Sequence, residues 1–336
     1  MNWTKKTVLV TGGTGSFGKK FTKMLLAEKN PQKIIIFSRD ELKQHEMRVA
    51  GYNDPRLRYF IGDVRDRDRL LRAMHDVDVV VHAAALKQVP ACEYNPMEAI
   101  KTNIVGTSNV IEAALDAGVS KVLALSTDKA VSPANLYGGT KLVAEKLVVQ
   151  SNNYAAGKGT RYSCVRYGNV VGSRGSVVPL FLKMRATGKL TVTDDRMTRF
   201  WLSLEQGVQF VINCIEQMEG GEVFVPKIPS TTVVDLARAI APDAEIEIIG
   251  IRGGEKLHED LLSVDESRHS VELDDMFVVQ PVEASWFGYS WQDKGKTLPE
   301  GFSYTSDNNS KWLDLEGMKK YIAPFEKDYN EGTLEG

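Results

Sequence analysis

Two residues near the middle of the chain, Tyr137 and Lys141, are typical of proton transfer at a hydroxyl group. They stand four positions apart in a predicted helix, so their side chains share one face. An ammonium beside a phenol favours the phenolate. The tyrosine pKa of about 10 must still fall by about 3 units before the side chain acts as a base at neutral pH, and we expect Lys141 and a second nearby positive charge to lower it. The same spacing also occurs on ordinary solvated helices.

The segment before this helix holds an acid and an amine side by side. Ser126, Thr127, Asp128 and Lys129 follow a predicted strand, at the end where ligands collect in parallel sheets. Asp128 and Lys129 could exchange protons with a substrate, or they could form a surface ion pair worth about 0 to 1 kcal/mol. Because hydroxyl residues precede the pair and Tyr137 follows it, we predict catalysis.

A glycine-rich turn follows the first predicted strand and opens a helix. Gly12 and Gly15 would let the backbone turn tightly and approach a pyrophosphate, and Gly18 would let the helix pack on the strand. An ordinary strand-to-helix turn is the alternative, and the position in the first strand–helix unit argues against it. The residues expected to bind a dinucleotide here are Thr11, Gly12, Gly15, Ser16, Phe17 and Gly18.

The end of the second predicted strand favours one dinucleotide over another. It reads Ser38, Arg39, Asp40. A hydroxyl followed by a guanidinium suits the 2′-phosphate of NADP better than a ribose hydroxyl pair, because the cation compensates the negative charge with fork-shaped donors. In the alternative, Arg39 opens a solvated helix that Asp40 caps, and Asp40 also keeps NAD open.

The next two strand ends extend the same site. Asp63 could accept a hydrogen bond from the adenine amino group, or it could cap a helix. Small residues after the fourth strand would let the backbone pass close to the cofactor and place Lys87 at the crevice, whereas His82 is expected to be structural. The residues expected beside the cofactor are Asp63, Val64, Ala83, Ala84 and Lys87, with Tyr137 and Lys141 at its reactive end.

Short β-branched segments separated by helical patterns position all of these residues. Continuous apolar strands predict a parallel sheet covered on both faces, so the fold class is α/β, a doubly wound Rossmann sheet with a smaller C-terminal substrate lobe. We predict a nucleotide-binding domain over 1–170 and about 200–235, and the lobe over 171–199 and 236–330. The predicted strands are 7–10, 34–37, 57–61, 77–82, 122–126 and 162–167.

Composition excludes several other classes of protein. The chain has 336 residues, 43% apolar and 26% charged, as in ordinary folded proteins. With 42 Lys and Arg against 44 Asp and Glu, it has no basic field for nucleic acid or anionic membrane. Cys92, Cys164 and Cys214 are widely spaced, so neither a disulfide framework nor a metal site is expected. No signal-peptide core and no apolar run near ~20 residues occurs, which predicts a cytoplasmic protein.

Taken together, these motifs resemble the extended short-chain dehydrogenase/reductase family. The resemblance covers nearly the whole chain and narrows to the polysaccharide-biosynthesis branch of that family. The family motifs are 11–18, 63–64, 82–85, 126–127 and the Tyr137–Lys141 pair; the branch motifs are 85–90, 126–130, 166–170, 173–177 and 197–200.

The resemblance implies a reaction and a role for each reactive residue. It implies 4,6-dehydration of UDP-N-acetylglucosamine with NADP and inversion at C5, giving UDP-2-acetamido-2,6-dideoxy-β-L-arabino-hexos-4-ulose, the first step of pseudaminic acid biosynthesis. The product could feed flagellin glycosylation, capsule or lipopolysaccharide. Tyr137, helped by Lys141, would take the O4 proton, and Thr127 would hydrogen-bond O4. Lys129, if neutral, would remove the C5 proton, and Asp128, if protonated, would donate to the departing C6 hydroxyl.

One departure from the wider superfamily affects these roles. Retaining hexose dehydratases carry Asp-Glu where this chain has Asp128 and Lys129, so Lys129 cannot take the role of that glutamate unchanged. Some soluble relatives have methionine in place of Tyr137, so this tyrosine favours the pseudaminic acid pathway over capsule pathways.

The nucleotide part of the substrate needs cations and backbone donors in the smaller lobe. Arg252 could pair with phosphate and Glu255 could accept from a ribose hydroxyl, because nearby glycines let the backbone reach a ligand. Each of these residues could instead be an ordinary surface charge. The residues expected to contact the substrate are Lys87, Asn169, Arg174, Val177, Arg199, Arg252 and Glu255.

Two other functions use the same motifs. A 4-epimerase of the same branch would use Tyr137 and Lys141 but would not need Asp128 and Lys129 as acid and base. A regulator that senses NADP without turnover would bind the cofactor, but such proteins tend to lose the tyrosine–lysine pair. The resemblance also implies a homo-oligomer, with a hexamer as one form, in which helices at 105–117 and 136–149 could pair.

Overall fold

A computed structural model describes residues 1–155, 157–173, 176–281 and 290–330. The strands are β1 Thr7–Thr11, β2 Lys33–Ser38, β3 Leu57–Ile61, β4 Val79–His82, β5 Lys121–Leu125, β6 Arg161–Val165, β7 Asn169–Val170, β8 Lys189–Val192, β9 Thr198–Leu202, β10 Val223–Pro226, β11 Ser230–Thr232, β12 Glu245–Ile248, β13 Asp260–Leu262, β14 Ser270–Glu272, β15 Met276–Val279, β16 Lys296–Thr297 and β17 Tyr304–Thr305.

The helices lie between the strands along the chain, and the last helix follows the last strand. They are α1 Ser16–Met24, α2 Glu41–Val49, α3 Arg67–Ala73, α4 Val89–Tyr94, α5 Pro96–Ile100, α6 Gly106–Asp116, α7 Leu136–Gln150, α8 Val177–Arg185, α9 Leu204–Gln217, α10 Val233–Ile240, α11 Val264–Ser267 and α12 Leu315–Asn330. A π-helical turn, Leu25–Lys29, continues α1, and another, Lys101–Val105, precedes α6.

The main sheet has the strand order β3-β2-β1-β4-β5-β6-β10, and all of these neighbours are parallel. Successive residues of β1 face opposite sides: Leu9 packs with α3, α6 and α7, whereas Val8 and Val10 pack with α1 and α9. Two apolar cores therefore cover the two faces, as expected for strands with continuous apolar runs. This confirms the predicted doubly wound parallel sheet.

Three antiparallel strands from the C-terminal part extend this sheet. β15 pairs with β10, β14 with β15, and β16 with β14. They come from the range predicted for the smaller lobe, so the chain returns to the first domain there, and the two-domain division stays a prediction.

A separate core beside the carboxyl ends of the parallel strands is formed by some of the later elements. β8 pairs with β12, and β9 lies between β7 and β11. Helices α8, α10 and α12 pack on them around Phe181, Trp201 and Leu236. Among the described residues, no helix is long and apolar enough to cross a membrane.

Candidate active site

A cleft of about 1150 Å³ lies between the parallel sheet and the C-terminal core. The segments that follow β1 to β6 all line its floor, because the carboxyl ends of parallel strands open on the same edge of the sheet. Of the predicted cofactor and catalytic residues, all line this cleft except Thr11 and Gly18, which support its glycine turn from below. The structure therefore brings the reactive residues and the nucleotide turn into one site.

The glycine turn has no room for a side chain at Gly12 or at Gly18. Gly12 has a φ of +66°, and a Cβ on it would lie 3.0 Å from the backbone nitrogen of Ala84. A Cβ on Gly18 would lie 2.4 Å from the carbonyl oxygen of Gly13, so helix α1 starts directly against the turn. Such a cradle, with the helix N-terminus behind it, fits a dinucleotide pyrophosphate.

Buried hydroxyls without partners mark the same cleft as a polar ligand site. The side-chain oxygens of Thr102 and Ser126 are buried, line the cleft and have no hydrogen-bond partner among the described residues. Buried polar groups are normally paired, so these two fit a ligand that supplies the missing partners.

The end of β2 assigns different roles to three adjacent residues. Ser38 bonds the hydroxyl of Thr14 in the glycine turn at 2.9 Å. Asp40 caps α2, since its carboxylate accepts from the backbone N–H of Lys43 at 3.0 Å. The Arg39 side chain is 57% exposed at the cleft wall, 3.8 Å from the Asp63 carboxylate. The capping role weighed for Asp40 is thus observed, and the role of Arg39 in cofactor binding stays a prediction.

Asp63 and His82 each bond to the protein itself. Asp63 forms an ion pair with Arg65 at 2.7 Å while lining the cleft. His82 is bonded through Nδ1 to the Thr11 hydroxyl at 2.7 Å and through Nε2 to the Thr107 hydroxyl at 3.0 Å. Burial lowers the pKa of His82 to about 3. It is therefore neutral and structural, as predicted.

The acid–amine pair sits in a short 3₁₀ turn, Asp128–Ala130, that follows β5. The Thr127 hydroxyl donates to Oδ1 of Asp128 at 2.8 Å, and the Lys129 ammonium donates to the same oxygen at 3.0 Å. The Asp128 side chain is 1% exposed, and its Oδ2 has no partner among the described residues. A surface ion pair is therefore excluded, because the carboxylate is buried at the floor of the cleft.

Glu259, which the sequence analysis did not single out, completes this cluster. Its Oε1 lies 3.2 Å from the Lys129 ammonium, and its side chain is 3% exposed. It precedes β13 directly, and in the sequence nothing separates it from an ordinary surface carboxylate. Only the packing of β13 against the main sheet brings it to Lys129.

The charge on Lys129 differs from the neutral form considered from the sequence. Burial opposes the ammonium, but the carboxylates of Asp128 and Glu259 outweigh it and raise the pKa of Lys129. In this structure Lys129 is therefore a cation, and it must lose a proton before it can act as a base.

Tyr137 and Lys141 lie in the first turns of α7, whose N-cap is Asn135. Burial raises the pKa of Tyr137 to about 12, and the cation that works against this rise is Lys129. The Lys141 ammonium instead donates to the carbonyl of Leu125 at 2.7 Å, and burial lowers its own pKa. The Lys141 ammonium is thus directed to the strand end, and its effect on the tyrosine pKa stays a prediction.

Most of the predicted substrate residues line the cleft. Lys87, Asn169, Val177, Arg252 and Glu255 line the cleft, and Arg174 lies outside the described residues. Arg199 also lines it, but its guanidinium donates to the carbonyls of Thr198, Leu257 and Lys256. Its link to a diphosphate stays a prediction.

A hydrogen bond connects the loop that contains Arg252 to helix α7, which contains Tyr137. The Asn135 side chain donates to the carbonyl of Gly254 at 2.9 Å while it caps α7. Gly254 has a φ of +81°, which favours glycine.

Among the described ranges, no group of three or more His, Cys, Asp or Glu residues is placed to hold a metal ion.

The chain matches the family described as polysaccharide biosynthesis protein over residues 8–281. It belongs to this family. A relative named UDP-N-acetylglucosamine 4,6-dehydratase (inverting), from Campylobacter jejuni, is 55% identical over 326 residues, which cover 95% of this chain and 97% of that protein.

Two further comparisons bear on the same family. A protein named UDP-glucose 4-epimerase, from Rickettsia rickettsii, is 43% identical over 339 residues and covers 98% of both chains. The X-ray structure of Pen from Bacillus thuringiensis superposes with a TM-score of 0.87 at 38% identity, covering 96% of this chain and all of that one. Relatives with different named activities are therefore similar to this chain over nearly its whole length.

Proposed function

We propose that the protein catalyses the 4,6-dehydration of UDP-N-acetylglucosamine with inversion at C5. The observation that carries the proposal is the contact between Asp128 and Lys129 at the floor of the cleft that Tyr137 and the glycine turn also line. Oxidation of the C4 hydroxyl uses Tyr137 and the cofactor. Loss of water needs a further acid and a further base, and Asp128 and Lys129 provide both. The relative at 55% identity, whose name states that reaction, supports the proposal.

A nicotinamide cofactor belongs to the reaction, and NADP is our proposal for its identity. Solved dehydratases and epimerases that share the fold at 19–24% identity hold NAD, which supports the cofactor class. Here the glycine turn would hold the pyrophosphate, and the exposed guanidinium of Arg39 would meet the 2′-phosphate. The chemistry that a bound nicotinamide would supply there is hydride transfer, from C4 of the sugar and back at C6.

Tyr137 serves the oxidation at C4. Its phenolate would accept the O4 proton, and the positive charges of Lys129 and of the bound cofactor favour that anion. Thr127, which precedes Asp128 at the end of β5, hydrogen-bonds O4 and orients it. Lys141, held by the Leu125 carbonyl, anchors α7 to that strand end and so places Tyr137.

The Asp128–Lys129 pair serves the elimination. Transfer of a proton from the Lys129 ammonium to the Asp128 carboxylate, which it contacts at 3.0 Å, would give the free amine and the acid that this step needs. A ketone at C4 acidifies the C5 proton, which that amine removes, and Asp128 donates its proton to the departing C6 hydroxyl. The buried Oδ2 of Asp128, which has no partner among the described residues, is the atom from which that proton leaves. Reprotonation of C5 from the opposite face gives the L-arabino product, which would enter pseudaminic acid biosynthesis and flagellin glycosylation.

A 4-epimerase is the second candidate, and the relative at 43% identity is the observation that favours it. An epimerase returns the hydride to C4 and has no use for a buried acid–amine cluster. We therefore place it second. A homo-oligomer, with a hexamer as one form, and a cytoplasmic location remain predictions.

An NMR time course with UDP-N-acetylglucosamine and catalytic NADP⁺ in D₂O separates these functions. The dehydratase gives a new signal from the C6 methyl group of a sugar with L-arabino couplings. The splitting of this signal by the C5 proton disappears as deuterium enters C5. Conversion to the 4-epimer without a methyl signal would establish the epimerase, and an unchanged sugar would contradict both. Lys129→Met, which keeps the side-chain length and removes the charge, is expected to abolish the methyl signal.

A further inference from the structure

The segment 131–135 joins the two reactive parts of the proposed mechanism. The turn Asp128–Ala130 ends at Val131, whose N–H closes the turn by donating to its first carbonyl at 3.2 Å. Helix α7, which contains Tyr137, begins directly after the segment. Dehydration requires the acid–amine pair and the phenol to reach one sugar ring, and a misplacement of about 1 Å can cost about 100-fold in rate. The shape of this segment therefore matters for turnover.

The same segment has a strained backbone. Ser132 has a φ of +43°, in the left-handed region that a residue with a Cβ adopts only when its surroundings hold it there. Ser132, Pro133 and Ala134 are all exposed, so contacts at the two ends of the segment must hold this shape.

Two hydrogen bonds from a neighbouring loop hold those ends. The Lys256 ammonium donates to the Val131 carbonyl at 2.5 Å, and the Asn135 side-chain amide donates to the Gly254 carbonyl at 2.9 Å. Lys256 is itself held by the Asp260 carboxylate at 2.9 Å, and its side chain is 13% exposed. At the second contact the two backbones lie close, since a Cβ on Gly254 would be 3.1 Å from the Cβ of Asn135.

The neighbouring loop, 250–256, also contains the residues predicted to bind the nucleotide. Arg252 and Glu255 line the cleft, and the N–H of Glu255 donates to the Arg252 carbonyl at 3.1 Å. In the proposed substrate, the diphosphate and uridine are remote from the carbons at which bonds change. An enzyme can use the binding energy of such a remote part to hold groups at the reacting centre. Lys256 follows Glu255 in the chain, so the loop connects the predicted nucleotide site to the reactive segment.

We propose that Lys256 is a positioning residue that, together with Asn135, couples nucleotide binding at the loop to the placement of Tyr137 beside the acid–amine pair. The inference rests on the proposed dehydratase function. The nucleotide favours the loop position in which the predicted binding residues line the cleft, and in that position both hydrogen bonds form. The segment is then held in its strained shape, and the sugar meets the acid, the amine and the phenol together.

Two variants remove the two hydrogen bonds separately. Lys256→Met keeps the length of the side chain and loses the bond to Val131. Asn135→Ser loses the bond to Gly254 but keeps a hydroxyl that can cap α7, since serine is a good N-cap. Lys256 also opposes the rise in the pKa of Glu259, whereas Asn135 carries no charge. An effect shared by both variants therefore follows from the lost contacts rather than from a changed charge.

Steady-state kinetics with UDP-N-acetylglucosamine give the first test. In both variants kcat is expected to fall at least ~10-fold while KM changes less than ~3-fold, because the nucleotide still binds but no longer places the reactive groups. Lys256→Arg, which keeps a cationic donor, is expected to lie closer to the wild type. Lys189→Met is the matched control, because Lys189 pairs with Glu247 at 3.2 Å on β8, outside the cleft. Thermal melts of each variant report folding.

A substrate divided at its diphosphate separates coupling from simple support of the fold. N-acetylglucosamine 1-phosphate supplies the sugar, and UMP supplies the nucleotide. In the wild type, saturating UMP is expected to speed dehydration of the sugar phosphate at least ~10-fold, because it holds the loop in place. In Lys256→Met and Asn135→Ser the acceleration is expected to be below ~3-fold, because the loop no longer holds the segment. The C6 methyl signal in the NMR time course measures each rate.

The outcomes separate this inference from the function beneath it. A wild-type protein that makes no dehydrated sugar from UDP-N-acetylglucosamine overturns the proposed function. A wild type that dehydrates this substrate but is not accelerated by UMP overturns only the coupling, as do variants with the wild-type kcat or an equal loss in Lys189→Met. Variants that lose kcat but keep the full acceleration by UMP have only a structural defect, which also overturns the coupling. If Lys256→Met unfolds, Asn135→Ser still decides between these outcomes.

Discussion

The ammonium of Lys129 lies between two buried carboxylates, 3.0 Å from Asp128 and 3.2 Å from Glu259. Asp128 is its neighbour in the chain, whereas Glu259 directly precedes β13, far along the chain. The cluster therefore exists only in the folded tertiary structure, and its chemistry depends on that packing.

Tyr137→Phe and Lys129→Met are expected to stop the reaction at different steps. Loss of the phenol prevents removal of the O4 proton, so turnover falls about 10²- to 10⁴-fold and no reduced cofactor forms. Loss of the Lys129 amine blocks the C5 step, and loss of its positive charge also slows the oxidation, so reduced cofactor accumulates slowly under single-turnover conditions. Near-ultraviolet absorbance of the reduced nicotinamide distinguishes the two variants. If both variants behave alike, the division of roles is wrong.

Arg39→Ala is expected to weaken NADP binding and to leave NAD binding nearly unchanged. A guanidinium–phosphate interaction contributes about 1.5 to 3 kcal/mol, which corresponds to a ~10- to ~100-fold loss in affinity. Fluorescence titration with each dinucleotide measures the ratio. Arg72→Ala provides the control, because Arg72 is an exposed arginine on α3 that does not line the cleft. Equal losses for both dinucleotides would contradict a 2′-phosphate contact.

Gly12→Ala is expected to abolish dinucleotide binding through a clash rather than through backbone strain alone. The added Cβ would lie 3.0 Å from the Ala84 backbone, in a turn with a φ of +66°. Gly118→Ala isolates the strain, since Gly118 has a φ of +71° and open space around it. Both variants should lose about 1 to 2 kcal/mol of unfolding free energy, but only Gly12→Ala should lose cofactor affinity. Calorimetric titration and thermal melts separate the two effects.

His82 is expected to make the fold less stable in acid. Burial lowers its pKa from 6.5 to about 3, so below pH 6.5 the unfolded chain binds a proton that the folded chain does not. Stability thus falls as the pH drops through this range, by about 2 kcal/mol between pH 6.5 and pH 5. Urea unfolding at several pH values measures the slope. His82→Gln should flatten it, whereas the exposed His75→Gln should leave it unchanged; an unaltered slope in His82→Gln would show that other groups cause it.

Local sequence was sufficient for the elements and for the residues that share one strand end. β-branched runs specified the parallel strands, and the positions of Thr127, Asp128 and Lys129 directly after β5 placed them together in the cleft. These relationships span a few residues, and strand direction alone carries each turn to the same edge of the sheet.

Tertiary packing decided the charge and the direction of the same groups. It turned Lys141 toward the Leu125 carbonyl, engaged Arg199 with backbone carbonyls and used Asp40 as a helix cap. Above all, it brought Glu259 against Lys129 and buried both carboxylates. Protonation depends on desolvation and on charges a few ångströms away in space. Residues far apart in the chain contribute both, so the sequence identified the reactive groups and only the folded structure decided their ionisation.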